Sequence, residues 1–249
     1  MRNFFHAFTF TLFLISTGSQ AVVLPLQDRM LFSSTDSERR LLIVNNDSHA
    51  PVLLQSWIDD GSSGELNKEK NYPFIVIPAV TKMSPGKIVN LRVLPTEKIR
   101  ALPRDRESVF WINLYEIPGI KKSQQRENAD KVEIGLNTQL KIIYRPFRGN
   151  MNIKNVAEGL SIRLSDGGHS LDLGNPSAYY VTPVSIKIKS SSGEQLLKLG
   201  MSRMIAPFSH KRFGLTKVMS DKEVTVEYTL IDDAGKEFSF TRPLKEDPH

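Results

Sequence analysis

The sequence predicts an all-β protein made of two sandwiches. Short segments in which apolar and polar residues alternate follow one another along most of the chain, and residues that favour turns separate them. No amphipathic pattern is long enough to predict a helix of ordinary length. The series of strands is interrupted at residues 147–150, Phe-Arg-Gly-Asn, which are typical of a hinge between two blocks.

The first block contains about seven candidate strands, which suits an immunoglobulin-like sandwich. An arginine-bearing strand is predicted at residues 24–32, and the others are predicted at residues 40–45, 52–58, 74–76, 87–94, 109–116 and 132–145. Residues 84–87 read Ser-Pro-Gly-Lys and predict a type II turn, because Gly86 tolerates the positive φ that this turn requires.

The last strand of this block carries an apolar stripe. Its even-numbered apolar positions share one face of a strand: Val132, Ile134, Leu136, Leu140, Ile142 and Tyr144. Lys141 lies on the opposite face. The strand therefore has an apolar stripe to offer on one side and a lysine on the other.

A second strand-rich block begins near Leu160. Two of its segments show the same alternation, at Val184, Ile186 and Ile188 and at Val224, Val226, Tyr228 and Leu230. Two sandwiches joined by a short linker are the simplest architecture that fits both blocks.

The N-terminus has the features of a secretory signal. Arg2 precedes an apolar run at residues 8–15, and Ser19-Gln20-Ala21 forms a small-x-small cleavage site. We expect cleavage after Ala21; an uncleaved anchor is the alternative. No later segment approaches the ~18 consecutive apolar residues of a transmembrane helix, so we expect no membrane insertion of the mature chain.

The composition excludes several classes of function. The chain has 40% hydrophobic and 24% charged residues and a net charge of +6, but its basic residues alternate with acidic ones and form no long run. We therefore expect no nucleic-acid partner. The sequence contains no cysteine, which excludes thiol catalysis and thiolate metal sites and leaves stability to core packing.

The sequence carries none of the familiar catalytic motifs. It has no nucleophile elbow, phosphate-binding loop, dinucleotide-binding motif, zinc-protease motif or EF-hand loop, and its histidines lack metal-ligand spacing. We expect no cofactor and no metal. Asp166, His169 and Ser170 are close in sequence, but a catalytic triad depends on geometry. An exported hydrolase with a noncontiguous site remains an alternative, as does a secreted carbohydrate-binding or adhesive β-sandwich module.

Six longer motifs are spread over nearly the whole mature chain. The most specific are RDRESVFWINLYEIP at residues 104–118 and QLKIIYRP at residues 139–146. The others are AVTKMSPGKIVNLRVL at residues 79–94, NPSAYYVT at 175–182, MIAP at 204–207 and LIDDAGKEF at 230–238. Together these motifs resemble those of the periplasmic pilus-assembly chaperones of the PapD type.

The resemblance implies a signal peptide at residues 1–21 and two immunoglobulin-like domains, at residues 22–146 and 147–249, in an L or boomerang arrangement. It also implies binding in the periplasm without catalysis. Such chaperones hold fimbrial subunits whose own sandwich lacks its last strand, and deliver them to an outer-membrane usher. The groove and sheet edge of an incomplete subunit promote aggregation, and a donated strand covers both.

The resemblance assigns the groove-filling side chains to Val132, Ile134 and Leu136. The alternative is that these side chains face the core of their own domain, as we expect for Leu140 and Ile142. An uncovered apolar strand also favours self-association when no subunit is bound.

The resemblance assigns a carboxylate anchor to Arg29 and Lys141, which would hold the C-terminal carboxylate of the subunit and set the register of the added strand. Without the resemblance, the sequence indicates that Arg29 is an ordinary surface arginine. Asp28 departs from the family pattern, which commonly has a small hydroxyl residue there. Because adjacent residues of a strand point to opposite faces, Asp28 need not interfere with the anchor.

The resemblance also assigns Glu107, Arg145 and Asp233 to a charged network between the domains, which would fix the angle between them. Asp232 competes with Asp233 for the third place in this network. The alternative is three unrelated surface charges.

Overall fold

A computed structural model describes residues 23–47, 50–62, 71–118, 135–219 and 223–244 of the chain. These residues form two β-sandwiches, each with its own hydrophobic core, which confirms the predicted all-β class. The predicted signal peptide lies outside the described residues. Among the described helices, none has the length and apolar character needed to cross a bilayer.

The described residues of the first sandwich form nine strands. In chain order they are β1 (Val23–Pro25), β2 (Arg29–Ser33), β3 (Arg39–Asn45), β4 (Val52–Asp59), β5 (Phe74–Ile77), β6 (Val80–Met83), β7 (Ile88–Pro95), β8 (Ser108–Pro118) and β9 (Leu136–Arg145). One sheet has the order β1-β3-β7-β5 and the other has the order β2-β9-β8-β4-β6. A short 3₁₀ helix, Glu97–Ala101, follows β7.

The core of the first sandwich lies between these two sheets. Leu41 and Leu91 from one sheet and Ile112 and Ile142 from the other are completely buried. Each aliphatic side chain of this kind contributes about 1.5–3 kcal/mol to folding. The ring of Phe74 packs against three other aromatic rings at centroid distances of 4.8, 5.7 and 6.0 Å. The sandwich is therefore held by apolar packing, as the absence of cysteine requires.

The single strand predicted at residues 24–32 is wrong, because the chain changes sheets within it. β1 pairs with β3, whereas β2 pairs with β9 in the opposite sheet. Val23, Met30 and Phe32 are all buried, and an odd-numbered and an even-numbered position cannot share one face of a continuous strand. Two strands, one in each sheet, are therefore needed to bury all three side chains.

The turn predicted at residues 84–87 is confirmed. The amide of Lys87 donates to the carbonyl oxygen of Ser84 at 3.1 Å, and Gly86 has a φ of 67°. This left-handed conformation favours glycine at the third position of a type II turn.

The described residues of the second sandwich form seven strands and one α-helix. In chain order they are α1 (Ile153–Gly159), β10 (Ser161–Ser165), β11 (Ser170–Asn175), β12 (Pro183–Ser190), β13 (Gly193–Leu196), β14 (Ser209–Gly214), β15 (Val224–Ile231) and β16 (Glu237–Leu244). One sheet has the order β10-β11-β14 and the other has the order β13-β12-β15-β16. Residues 166–168 form a short 3₁₀ turn.

Helix α1 is too short for the sequence pattern to reveal. The side chain of Asn152 caps it by accepting hydrogen bonds from the amides of Lys154 and Asn155. Its residues Ile153, Val156 and Ala157 follow helical spacing and are buried in the second core. The alternating positions predicted for β15 and the last two predicted for β12 are buried in the second core: Val224, Val226, Tyr228, Leu230, Ile186 and Ile188. Val184 is only half-buried, because the pairing register shifts between Pro183 and Ser185.

Candidate functional site

A cleft of about 270 Å³ lies between the two sandwiches. The first sandwich contributes Asp28, Arg29 and Lys141 to its lining, and the second contributes Thr182, Arg203 and Met204. The cleft thus gathers side chains from sequence positions far apart, and most of its charged groups are basic.

Arg29 and Lys141 reach this cleft together because of strand pairing. β2 and β9 run parallel, and their register places Arg29 directly beside Lys141. The next residues along each strand, Met30 and Ile142, are buried in the core. Since successive side chains alternate between faces, Arg29 and Lys141 share the opposite face, toward the cleft.

Hydrogen bonds hold the Arg29 side chain in place but do not use all of its donors. Its Nη1 donates to the carbonyl oxygen of Asp232 at 3.3 Å, and its Nη2 donates to Asp28 Oδ2 at 3.1 Å. Its Nε is buried and has no hydrogen-bond partner in the part of the chain that the structure describes. The Arg29 side chain is only 19% exposed, which is unusual for a simple surface arginine. Its guanidinium therefore has donor capacity left for an acceptor entering the cleft.

Lys141 is half-buried, and its side chain has no hydrogen-bond or ion-pair partner among the described residues. Burial lowers the pKa of its ammonium group, and the positive charges of Arg29 and Arg203 lower this pKa further, while Asp28 opposes them. A partly desolvated ammonium beside two other cations is a site that favours an anion.

Asp28 forms an ion pair with Arg29 in the structure. The expectation based on strand alternation does not apply to it, because β2 begins at Arg29 and Asp28 belongs to the segment that changes sheets. Its side chain is 70% exposed, so it can rotate toward solvent at little cost.

Arg203 is a cleft residue that the sequence reasoning missed. It directly precedes the MIAP motif at residues 204–207, and a basic residue beside a family motif was the available signal. An isolated β-bridge between Ile205 and Val181 fixes the backbone two residues further on. The second sandwich thereby brings a third cation to the cleft.

Glu107, Arg145 and Asp233 form one network where the domains meet. The Nε of Arg145 donates to Glu107 Oε1 at 2.8 Å, and its Nη1 and Nη2 donate to the two carboxylate oxygens of Asp233 at 2.8 and 2.7 Å. Asp232 is occupied differently, since its carboxylate accepts from the amides of Ala234 and Lys236 in a turn. The structure thus brings Asp233, and not Asp232, to Arg145.

Further contacts surround this network. Glu107 Oε2 accepts from the amide of Tyr180 at 2.6 Å, and the amide of Glu107 donates to the carbonyl oxygen of Ala178. The guanidinium of Arg145 also lies 4.8 Å from the centre of the Tyr179 ring. These contacts join Glu107, directly before β8, and Arg145 of β9 to residues 178–180 of the second sandwich.

The two carboxylates of the network have opposite pKa shifts. Burial raises the pKa of Glu107 and outweighs the hydrogen bonds from Tyr180 and Arg145. Burial also acts to raise the pKa of Asp233, but the hydrogen bonds and positive charge of Arg145 outweigh it and hold this pKa below the usual value. Protonation of Asp233 in acid therefore reduces the stability of the folded protein, whereas the raised pKa of Glu107 has the opposite effect.

The predicted groove-filling residues lie at the start of β9 and before it. Leu136 is the first residue of β9 and is 40% exposed, whereas Leu140, Ile142 and Tyr144 are buried in the core of their own domain. Val132 and Ile134 lie outside the described residues. The apolar stripe thus changes from buried to exposed toward the start of the strand.

The other face of β9 is fixed by a polar cluster that the sequence did not reveal. The buried Oδ1 of Asn113 accepts from Asn137 Nδ2 at 2.9 Å and from Gln139 Nε2 at 2.8 Å. The Nδ2 of Asn113 donates in turn to the buried Asp59 at 2.8 Å. This cluster anchors the first half of β9 to its neighbour β8 and, through Asn113, to β4 on the far side of β8.

Asp166, His169 and Ser170, which are close in sequence, lie in and directly after the 3₁₀ turn at residues 166–168. The Asp166 carboxylate forms an ion pair with Arg212 at 3.2 Å, on the exposed surface of the second sandwich. Within the described residues, no group of three or more His, Asp or Glu side chains is arranged to hold a metal ion.

Comparison with known protein families gives two matches. Residues 23–149 match the N-terminal domain of PapD, described as a pili and flagellar-assembly chaperone. Residues 155–241 match the C-terminal domain of the pili assembly chaperone PapD. The two matches together cover both sandwiches.

Individual relatives agree with these matches. The chaperone protein FimC of Escherichia coli K12 is 30% identical over 207 residues, which are 83% of this chain and 78% of FimC. The crystal structure of the YadV chaperone has a TM-score of 0.75 at 24% identity and covers 90% of this chain and 100% of that one. The SafB chaperone, solved in complex with the SafA pilin of Salmonella enterica, has a TM-score of 0.71 at 22% identity and covers 91% of this chain and 98% of that one. The chain therefore belongs to the PapD family of pilus-assembly chaperones.

Proposed function

We propose that this protein is a periplasmic chaperone for incomplete immunoglobulin-like fimbrial subunits. It donates a strand to the subunit, binds the C-terminal carboxylate of the subunit in the interdomain cleft, and delivers the subunit to an outer-membrane usher. The observation that carries the proposal is the pairing of Arg29 with Lys141 on adjacent strands, with unused donors on both side chains facing one cleft.

A terminal carboxylate suits this cleft chemically. It supplies acceptor oxygens to the free donors of Arg29 and Lys141, and its negative charge offsets the repulsion between them. A hydrogen bond to a charged group contributes about 1.5–3 kcal/mol. Two such bonds make the anchor strong enough to select a chain end over an internal peptide bond.

The fimbrial subunit bound by the chaperone is called the client. The anchor also determines which side chains of the client are covered. Lys141 lies on β9, and the same chain leads back to Leu136 and then to Ile134 and Val132. A client strand anchored at Lys141 pairs with this segment in one register, because a one-residue slip would turn every side chain to the wrong face. Each aliphatic side chain buried in the client groove contributes about 1.5–3 kcal/mol.

The network around Arg145 positions the cleft. Arg145 is on β9 four residues after Lys141, and it connects the strand to Asp233 of the second domain. We assign Glu107, Arg145 and Asp233 the role of fixing the orientation of the two sandwiches, since a buried ion network specifies geometry better than it adds stability.

The remaining parts of the proposal concern export and assembly. Residues 1–21 act as a cleaved signal peptide, residues 22–146 form the N-terminal domain and residues 147–249 form the C-terminal domain. Client-free protein covers its apolar strand by self-association. The names of the relatives support the chaperone role: FimC is a chaperone protein, and SafB was solved with a pilin.

Co-purification of the native client tests the proposal. Tagged wild type, Arg29→Ala, Lys141→Ala and a control, Arg163→Ala, are expressed in the periplasm with the neighbouring fimbrial genes, and eluted proteins are identified by mass spectrometry. Arg163 is exposed on β10 and does not line the cleft, so its removal controls for lost charge. We expect an incomplete pilin with wild type and Arg163→Ala only. Equal recovery with all four proteins, or no pilin with any, would overturn the proposal.

A further inference from the structure

The cleft holds more positive charge than a two-residue anchor requires. Arg29, Lys141 and Arg203 line it together with one carboxylate, Asp28. Asp28 is paired with Arg29 and is largely exposed. The residues that line the cleft therefore carry an excess of positive charge, which an incoming anion can offset.

Arg203 belongs to the second domain and has no acidic partner. Its side chain is half-buried and forms no hydrogen bond or ion pair with the residues that the structure describes. By contrast, Arg145 and Arg212 are each bound by carboxylates. An arginine that is partly desolvated and unpaired at the mouth of a basic cleft is suited to binding an external acceptor.

The backbone around Arg203 is well fixed. Ile205 exchanges two backbone hydrogen bonds with Val181, at 2.8 and 3.0 Å. The ammonium of Lys211 also binds the carbonyl oxygen of Ser202, directly before Arg203. The backbone that carries Arg203 is thus already ordered, and less backbone entropy is lost when the guanidinium binds an acceptor.

We propose that Arg203 is a third cation of the carboxylate site, so that the bound C-terminal carboxylate of the client contacts both domains. This inference rests on the proposed function and deepens it. Arg29 and Lys141 fix the position of the carboxylate along the first domain, and Arg203 closes the site from the second domain. Client binding then connects the two domains across the cleft. This connection is separate from the network of Arg145, whose residues do not line the cleft.

The influence of Arg203 on Lys141 supports this arrangement. The positive charge of Arg203 contributes to the lowered pKa of the Lys141 ammonium, as does that of Arg29, while Asp28 acts in the opposite direction. Such an effect requires the guanidinium and the ammonium to lie close to each other, as expected for two groups that line one cleft.

Binding of matched peptides to the purified mature protein tests the inference. The probes are a short acetylated peptide of alternating valine and threonine with a free C-terminal carboxylate, and the same peptide with a C-terminal amide. Their affinities are measured by isothermal titration calorimetry for wild type, Arg203→Gln, Arg203→Lys, Lys141→Gln and the control Arg163→Gln. Thermal unfolding verifies that each variant is folded.

We expect Arg203→Gln to reduce the preference for the carboxylate peptide by roughly five- to tenfold, with partial recovery in Arg203→Lys and no change in Arg163→Gln. A full preference in Arg203→Gln together with a lost preference in Lys141→Gln would overturn the role of Arg203 and leave the proposed function intact. Equal binding of the two peptides by wild type would overturn the anchor itself, and the inference with it.

A second measurement does not depend on the peptide. The Lys141 ammonium is titrated by NMR of ¹³C-labelled lysine in the client-free protein. We expect its pKa to rise in Arg203→Gln, because one repelling charge is removed, and to stay unchanged in Arg163→Gln. An unchanged pKa in Arg203→Gln would place the guanidinium too far away to share an anion with Lys141.

Discussion

Arg29 and Lys141 are direct register partners in the parallel pair formed by β2 and β9. All other strand pairs among the described residues are antiparallel. The parallel pairing depends on the change of sheet before Arg29, which delivers the start of the chain to the edge beside β9. The cleft therefore depends on a change of sheet near the N-terminus of the first sandwich.

The two ends of the apolar stripe are expected to respond differently to substitution. Leu136→Ser alters an exposed side chain and should leave the free energy of unfolding within about 0.5 kcal/mol of wild type, while client recovery falls. Leu140→Ala removes a buried side chain and should cost about 2–5 kcal/mol. Urea unfolding and co-purification measure the two effects. Unchanged client recovery in Leu136→Ser would argue against its place in the donated strand.

Breaking the interdomain network is expected to be costly. Arg145→Ala leaves the buried carboxylate of Glu107 without its cation, and should lower the free energy of unfolding by about 3–5 kcal/mol. Because a domain with its own core can tolerate this loss, we expect the variant to fold but to bind client poorly. Urea unfolding and client co-purification are measured on the same preparation. Wild-type binding would show that the network does not position the cleft.

Replacing both partners provides a control for the network. Arg145→Met/Glu107→Met removes the two buried charges together, so most of the lost stability should return. Client recovery should stay low, because the link from Arg145 to Asp233 is still absent. Recovery of binding along with stability would mean that any well-packed contact is sufficient there.

Acid should weaken the network through Asp233. Its pKa is lower in the folded protein than the usual value of 3.8, so its contribution to stability is present above that pH and is lost as the pH falls through the lower, folded value. We expect wild type to lose more stability than Asp233→Asn between about pH 5 and pH 2. Urea unfolding at a series of pH values measures this difference, and parallel pH profiles would contradict it.

Client binding should raise the pKa of Lys141. Burial and the neighbouring arginines lower this pKa in the free protein, and a bound carboxylate favours the charged ammonium. At alkaline pH, binding should therefore take up protons, and affinity should fall as the pH rises through the free value. Calorimetry in buffers of different ionisation enthalpy measures the uptake. In Lys141→Arg the guanidinium stays charged over the whole pH range, so this variant should show no proton uptake on binding.

The fold class was accessible from the sequence because alternation reports burial directly. Leu140 and Ile142 were expected in the core and are buried there. The change of sheet between β1 and β2 was missed, since it depends on long-range pairing that a local pattern does not contain. Helix α1 was missed because seven residues are too few to establish a helical period.

The candidate site could be predicted only in part from the sequence. The family resemblance drew attention to Arg29, Lys141 and Arg145. The only signal for Arg203 was its position directly before the motif at residues 204–207, and this position does not indicate that Arg203 lies near Lys141. Its proximity to Lys141 results from the way the second sandwich meets the first. Asn113 was missed for a related reason: an asparagine within an apolar strand does not indicate which polar groups will surround it after folding.

The most direct measurement is a crystal structure of the protein with its co-purified client. We expect the terminal carboxylate of the client within hydrogen-bond distance of Arg29 and Lys141, and the client strand paired with the segment that leads into β9. A client bound elsewhere, or bound there with its terminal carboxylate in solvent, would contradict the carboxylate anchor.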